Sequence, residues 1–286
     1  MLETIYLVRH GFRQSFDSFP QNSPTGTKKD PPLTALGIEQ AREVGAYFSD
    51  PNKGGKEAPE MIFSSPYYRC LQTATCTADA LDLPIHVEFG ISEFYQRTIP
   101  GTGLHPRPPS ASKLRLHFPR VSVTVHDEPL LYASRNGETF SGIHDRADEF
   151  IRILLKYMRE NFPDVKRVML VSHAATVIAL GRAIVRDRTL AIRAGTCSLS
   201  RFDRVKPSSS ALESGGGRGN EEDIGTWKCT LNGWTGHLKS GEQRHWDFDG
   251  EIEMEEAGQG EGVLQAHEEE EEGDEDIKDE DTKAKL

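Results

Sequence analysis

Five side chains in this sequence are of types that can carry a phosphoryl group through a reaction: Arg9, His10, Arg69, Glu93 and His173. Each follows a short apolar run, where a chain leaving a buried strand presents polar groups to a ligand. A phosphoryl group spreads its charge over several oxygens, and arginine offers rigid forked donors that match it, which suits Arg9 and Arg69 to binding. Their positive charge also depresses the pKa of His10, so its imidazole stays neutral and can attack phosphorus. His173 can donate to another phosphate oxygen and stabilise the transition state, helped by the amides that open the helix after it. Glu93, protonated in such a crowded site, would give the leaving alkoxide its proton and then activate water against the phosphohistidine. That set forms a complete ping-pong phosphomonoesterase with no metal and no cofactor.

The elements that must hold these residues follow from periodicity. Residues 4–8, 61–63, 85–87 and 168–171 are short, continuous apolar runs, typical of strands buried on both faces. Helical patterns fall between them. One begins near Leu36, with Ala41, Val44 and Phe48 recurring, and stops at Asp50-Pro51-Asn52; others cover about 67–81, 139–161 and 174–185. Residues 90–137, punctuated by Pro100, Pro106, Pro108, Pro109 and Pro119 among others, form a long excursion of the kind that sets substrate choice. The repeated order of strand, polar turn and helix predicts an α/β fold, a mostly parallel sheet with helices on both faces.

The net charge of −11 is misleading. Residues 251–286 hold 12 Glu, 4 Asp and 3 Lys, a local charge of −13, while the other 250 residues carry +2. Residues 250–286 therefore read as a disordered acidic tail, too polar to offset its ordering entropy and repelled by nucleic-acid phosphates, so no direct nucleic-acid contact is expected. Residues 206–225, with Pro207-Ser208-Ser209-Ser210 and three successive glycines, read as a flexible linker after a catalytic domain of residues 1–205. Between linker and tail, residues 226–249 alternate like two strands, 227–231 and 245–248. A lone strand pair is marginal, so they are expected to complete another sheet, either on the catalytic domain or on a partner.

Other chemistries fail on spacing. The longest apolar stretches are far short of a bilayer span, so no membrane association is expected. The N-terminus shows no secretory signal, which suggests an intracellular protein, nuclear or cytoplasmic. Cys70, Cys76, Cys197 and Cys229 lack the C-x-x-C spacing of a metal or redox site, and none has an arginine six places on, as a cysteine phosphatase needs. Glu88 competes with Glu93 for the acid role. Glu138 reads as a helix-start residue, and Arg97, Arg107, Lys113, Arg115 and Arg120 as a solvated basic face able to recognise an extended anion. Phe12 and Phe16 suit either a pocket for an aromatic leaving group or the core.

Leu7-Val8-Arg9-His10-Gly11 with Arg13 beyond it, Ser64-Ser65-Pro66-Tyr67-Tyr68-Arg69 and Val171-Ser172-His173-Ala174 together resemble the histidine phosphatase (phosphoglycerate mutase-like) superfamily. The resemblance implies that His10 is phosphorylated, that Arg9, Arg13, Arg69 and His173 bind phosphate, and that Glu93 is the proton donor. Phe12-Arg13 stands where the metabolic mutases usually carry Glu-Ser, and Arg13 resembles the protein-tyrosine-type branch. Residues 193–199, 227–233, 240–242 and 246–248 further resemble a fungal subunit family of the RNA polymerase III transcription factor TFIIIC, whose carboxyl-terminal segment completes a β-barrel with a partner subunit. Phosphatase-only fungal paralogues share this pattern, so two readings stand: a TFIIIC subunit docking its partner through residues 226–249, or a free cytosolic phosphomonoesterase.

Overall fold

A computed structural model describes residues 1–14, 23–124, 128–205 and 225–248. Phe16, nearly all of the expected linker and the acidic tail lie outside the described residues.

The buried strands form as their continuous apolar character requires: β1 (Thr4–Arg9), β2 (Met61–Ser64), β3 (Ile85–Val87) and β4 (Arg167–Ser172). They run parallel, and with β5 (Leu199–Arg204) and β6 (Trp227–Trp234), both added antiparallel, they give the sheet order β3-β2-β4-β1-β5-β6. Successive side chains of a strand point to opposite faces, which splits the core in two. Ile5, Leu7, Val168 and Leu170 face α4 (Phe140–Asn161) and α5 (Ala174–Val185). Tyr6, Val8, Met169 and Val171 face α1 (Ala35–Ser49) and α2 (Tyr68–Leu81). Thr34 caps α1 and Thr139 caps α4, each hydroxyl accepting from the backbone N–H three residues on. The excursion adds one turn of 3-10 helix (Phe89–Ile91) and a short α3 (Ala111–Leu114) between extended loops.

Leu36 departs from expectation, being 37% exposed. The buried stripe of α1 is instead Gly37, Gln40, Ala41, Val44, Gly45 and Phe48. Gly37 faces inward because the loop after His10 runs against it: a Cβ there would collide with the Phe12 carbonyl, and one on Gly11 would lie 2.5 Å from the Gly37 carbonyl oxygen. The Gln40 carboxamide accepts from the Phe12 amide at 3.0 Å, fixing the same loop.

The expected strand pair in residues 226–249 is corrected. Only β6 is a strand, and it pairs with β5 of the same sheet; residues 235–248 return across the domain without strand structure. Trp227 and Phe248 are buried in the core beside α4 and α5, and Leu238 in the opposite one. Residues 1–248 thus make one compact unit among the described residues. The physical reason is β5: its edge away from β1 would present unpaired backbone groups, and β6 satisfies them from within the chain.

His237, in the returning segment, packs on Tyr47 and Trp234, and burial pushes its pKa down to about 4, although the Cys197 carbonyl at 3.0 Å opposes the shift. In the unfolded chain the ring takes its proton near pH 6.5. Between these values the unfolded state binds more protons, so this residue costs stability as pH falls from about 6.5 toward 4. Urea midpoints at pH 7 and pH 5 should therefore lie closer together in His237→Gln than in the parent, by a free-energy difference on the order of 1 kcal/mol. An unaltered gap would contradict the assignment of a buried neutral imidazole.

Candidate active site

Parallel pairing of β1 with β4 places Arg9 opposite Ser172, so the next residue of each strand, His10 and His173, emerges beside the other. The His10 amide donates to the Ser172 carbonyl at 2.9 Å, and the two imidazoles stand edge to face, 5.4 Å between centroids. His10 Nδ1 lies 2.8 Å from the Gly11 carbonyl, which can only accept. Nδ1 therefore carries the proton and the Nε2 lone pair is left for attack. Burial first, then the charges of Arg69 and Arg9, holds the His10 pKa well below its ordinary value, so the ring is neutral at physiological pH.

Arg69, on the first turn of α2, is fully buried. Its Nη1 donates to Asp30 Oδ1 at 2.9 Å and its Nη2 to Glu93 Oε2 at 2.7 Å. Burial opposes its charge, but Glu93 and Asp30 outweigh that and keep the guanidinium protonated. Arg9 donates through Nη1 to the Ala194 carbonyl at 2.7 Å and to the Arg244 carbonyl. Burial lowers its pKa to about 10, which still leaves it cationic at neutral pH. Arg13 is partly buried beyond the loop, paired as an isolated bridge with Leu33, and burial and the field of Arg69 lower its pKa, evidence that it shares this electrostatic neighbourhood. The Nε groups of Arg9 and Arg69 are both buried with no hydrogen-bond partner among the described residues. Each remains a donor for an anion, and an unmet buried donor costs about 1–3 kcal/mol.

His173 is wholly buried, and burial pushes its pKa down to about 4. Its Nδ1 faces two groups of opposite character, Arg69 Nη2 at 3.0 Å, which can only donate, and Glu93 Oε2 at 3.2 Å, which can only accept, while Ser65 Oγ lies 2.8 Å from Nε2 and serves in either role. A phosphate that displaced Glu93 would take its place as the acceptor for a proton on Nδ1.

Glu93 needs a correction. Burial pushes its carboxyl up, yet His173 and Arg69 outweigh burial and hold it well below the ordinary carboxylate range. Glu93 is therefore an anion held by Arg69 and His173, not the protonated acid expected from crowding. A phosphate dianion competing for Arg69 would remove this support and repel the carboxylate, which would raise its pKa. Glu88 does not share the site: its oxygens accept from the amides of Gly90, Leu130 and Leu131, an anchor for the excursion. Glu138 forms a two-pronged pair with Arg146 at 2.7 and 2.8 Å.

Three contributors were not recognised in the sequence. Asp30 holds Arg69, and its position before Pro31-Pro32, where the backbone is stiff, was the available signal. Thr73 accepts from the Gly11 amide at 3.0 Å and fixes the loop that follows His10. The segment around Arg244 and His245 reaches the site from 235 residues away: the His245 ring accepts from the Ala194 amide at 3.2 Å, and Ala194 and Arg244 supply the carbonyls that orient Arg9. Among the described residues no group of His, Cys, Asp or Glu side chains could hold a metal ion, and no helix is long and apolar enough to cross a membrane.

A six-stranded α/β sheet with two histidines and two buried arginines at its carboxyl end defines a class, and residues 5–210 match the model of the histidine phosphatase superfamily (branch 1), to which this chain belongs. It is 31% identical over 271 residues to the transcription factor tau 55 kDa subunit of Saccharomyces cerevisiae, an alignment covering 87% of this chain and 59% of that protein. It is 26% identical over 214 residues to an ecdysteroid-phosphate phosphatase of Drosophila melanogaster, covering 63% of this chain and 26% of that protein. The chain therefore spans less than two thirds of either relative. The ecdysone phosphate phosphatase of Bombyx mori, solved with tungstate, shares the fold with a TM-score of 0.58 at 18% identity, covering 86% of this chain and 98% of that one.

Proposed function

We propose that this protein is a phosphomonoesterase that works through a phosphohistidine on His10. The observation that carries the reading is a neutral His10 with a free Nε2 beside two buried arginines whose Nε donors lack partners. In the first step the Nε2 lone pair attacks phosphorus, the bond from phosphorus to the leaving oxygen breaks, and Glu93 gives that oxygen its proton. In the second, the Glu93 carboxylate takes a proton from water, whose oxygen displaces Nε2 and leaves as inorganic phosphate. Arg9, Arg13, Arg69 and His173 stabilise the charge on the equatorial oxygens in both steps.

Glu93→Gln tests the acid role. An alkoxide needs a proton in the transition state and an activated phenolate hardly does, so turnover of alkyl phosphates should fall about a hundredfold or more while that of 4-nitrophenyl phosphate falls far less. Equal slowing of both would move the acid role elsewhere.

The similarity to the tau 55 kDa subunit supports a second level of function, as a subunit of TFIIIC acting in the nucleus. Because β6 ends the sheet, its outer edge is where a partner strand would add. The similarity to an ecdysteroid-phosphate phosphatase supports the alternative of a free phosphatase. Recovery of TFIIIC subunits with the full chain separates the two.

A further inference from the structure

Beside Glu93, on the side where a leaving group must lie, the excursion forms a shallow recess walled by Tyr67, Tyr95 and His105 and rimmed by Arg107 and Arg135. Glu93 and Tyr67 join the recess to the histidines: Glu93 Oε2 lies 3.2 Å from His173 Nδ1, and the buried Tyr67 ring stands edge-on to the same imidazole, 5.1 Å between centroids. Its far wall is aromatic: the Tyr95 and His105 rings stack face to face, 4.6 Å apart and within 12° of parallel, so the pair offers an incoming ring one flat outer face. The rim is basic. Arg107 lies over the Tyr132 ring at 4.8 Å with Nη2 on the Ala133 carbonyl, and Arg135 donates from Nε to the His105 carbonyl at 2.9 Å. Lys29 places its ammonium 5.7 Å from the Tyr95 ring.

None of these three cations has a carboxylate partner among the described residues, whereas Arg120, elsewhere on the excursion, is held by Asp79 and Asp82. The one carboxylate lining the recess, Glu93, is committed to Arg69 and His173. Uncompensated positive charge around a flat aromatic wall is complementary to a planar group bearing an anion.

We propose that this site selects phosphomonoesters whose leaving group is a ring carrying a second acidic group, a carboxylate or phosphate, set against Tyr95 and His105 and facing Arg107 and Arg135. The inference rests on the phosphomonoesterase reading for the reaction but not for the recognition. The probes are 4-carboxyphenyl phosphate and its methyl ester. The ester is the better leaving group, so any intrinsic bias works against the proposal. At low salt the wild-type protein should favour the acid roughly fivefold in kcat/KM. The ratio should fall to about one in the double variant Arg107→Ala, Arg135→Ala, and shrink in high salt in the parent. The matched pair 4-carboxybenzylphosphonate and its methyl ester, titrated calorimetrically, reads the same ratio in Kd without turnover. Equal values for acid and ester in the wild type, or a preference that survives the double variant, would overturn the proposal. If neither phosphate were hydrolysed while the phosphonates still showed the preference, the recess would stand and the catalytic reading would fall.

Discussion

Hydrolysis of an aryl phosphate by His10→Ala should fall to background, a loss of at least about a thousandfold in kcat, because a missing covalent nucleophile removes the pathway and not merely a fraction of transition-state stabilisation. The substitution deletes a ring that is 3% exposed at the end of β1, but the strand's own pairing ends at Arg9, and the core-facing residues Leu7 and Val8 are untouched. The thermal midpoint should therefore move by only a few degrees. The variant should still bind orthophosphate or tungstate, since Arg9, Arg69 and His173 remain. Turnover within about tenfold of the parent would remove His10 from its assigned role.

Deleting residues 226–286 should have the second large effect, on folding. Trp227 and Phe248 are 5% and 2% exposed in the core that α4 and α5 share. Removing a buried aromatic side chain costs about 3–5 kcal/mol, and two of them approach the whole stability of an ordinary domain, about 5–15 kcal/mol. The deletion also strips β6 from β5 and removes the Arg244 carbonyl that orients Arg9. We expect aggregation or a molten product without phosphatase activity. A truncated protein that melts cooperatively and turns over substrate within a few fold would show that residues 226–248 are dispensable to the catalytic unit. For the same reason this deletion cannot map a partner site; that requires the full chain.

The end of the sheet that carries His10 and His173 was legible because buried parallel strands are written as continuous apolar runs, and the register of β1 with β4 brings two separate motifs side by side. What remained hidden had no local signature. Leu-Ser-Arg-Phe-Asp-Arg, the sequence of β5, carries two arginines and an aspartate, so it lacks the apolar continuity of β1, and without β5 the pairing of β6 could not be foreseen. The ends of β6 and residues 245–248 both alternate, but alternation does not reveal which strand lies opposite, and Trp246 and Phe248 found helices instead of a strand. Asp30 and the Arg244 carbonyl act through contacts 39 and 235 residues away in sequence, beyond the reach of any spacing rule. The ionised state of Glu93 depends on two partners brought together only by folding.

The proposed reaction turns on a covalent phosphate on His10. The direct measurement is rapid alkaline quench of the full-length protein during turnover of a radiolabelled aryl phosphate, followed by digestion and mass spectrometry, because phosphohistidine survives base and is lost in acid. The label should appear on the peptide containing His10, acid-labile, formed and discharged at rates that support kcat, and be absent from His10→Ala. Steady hydrolysis with no labelled enzyme, or label on a different residue, would contradict the proposed reaction.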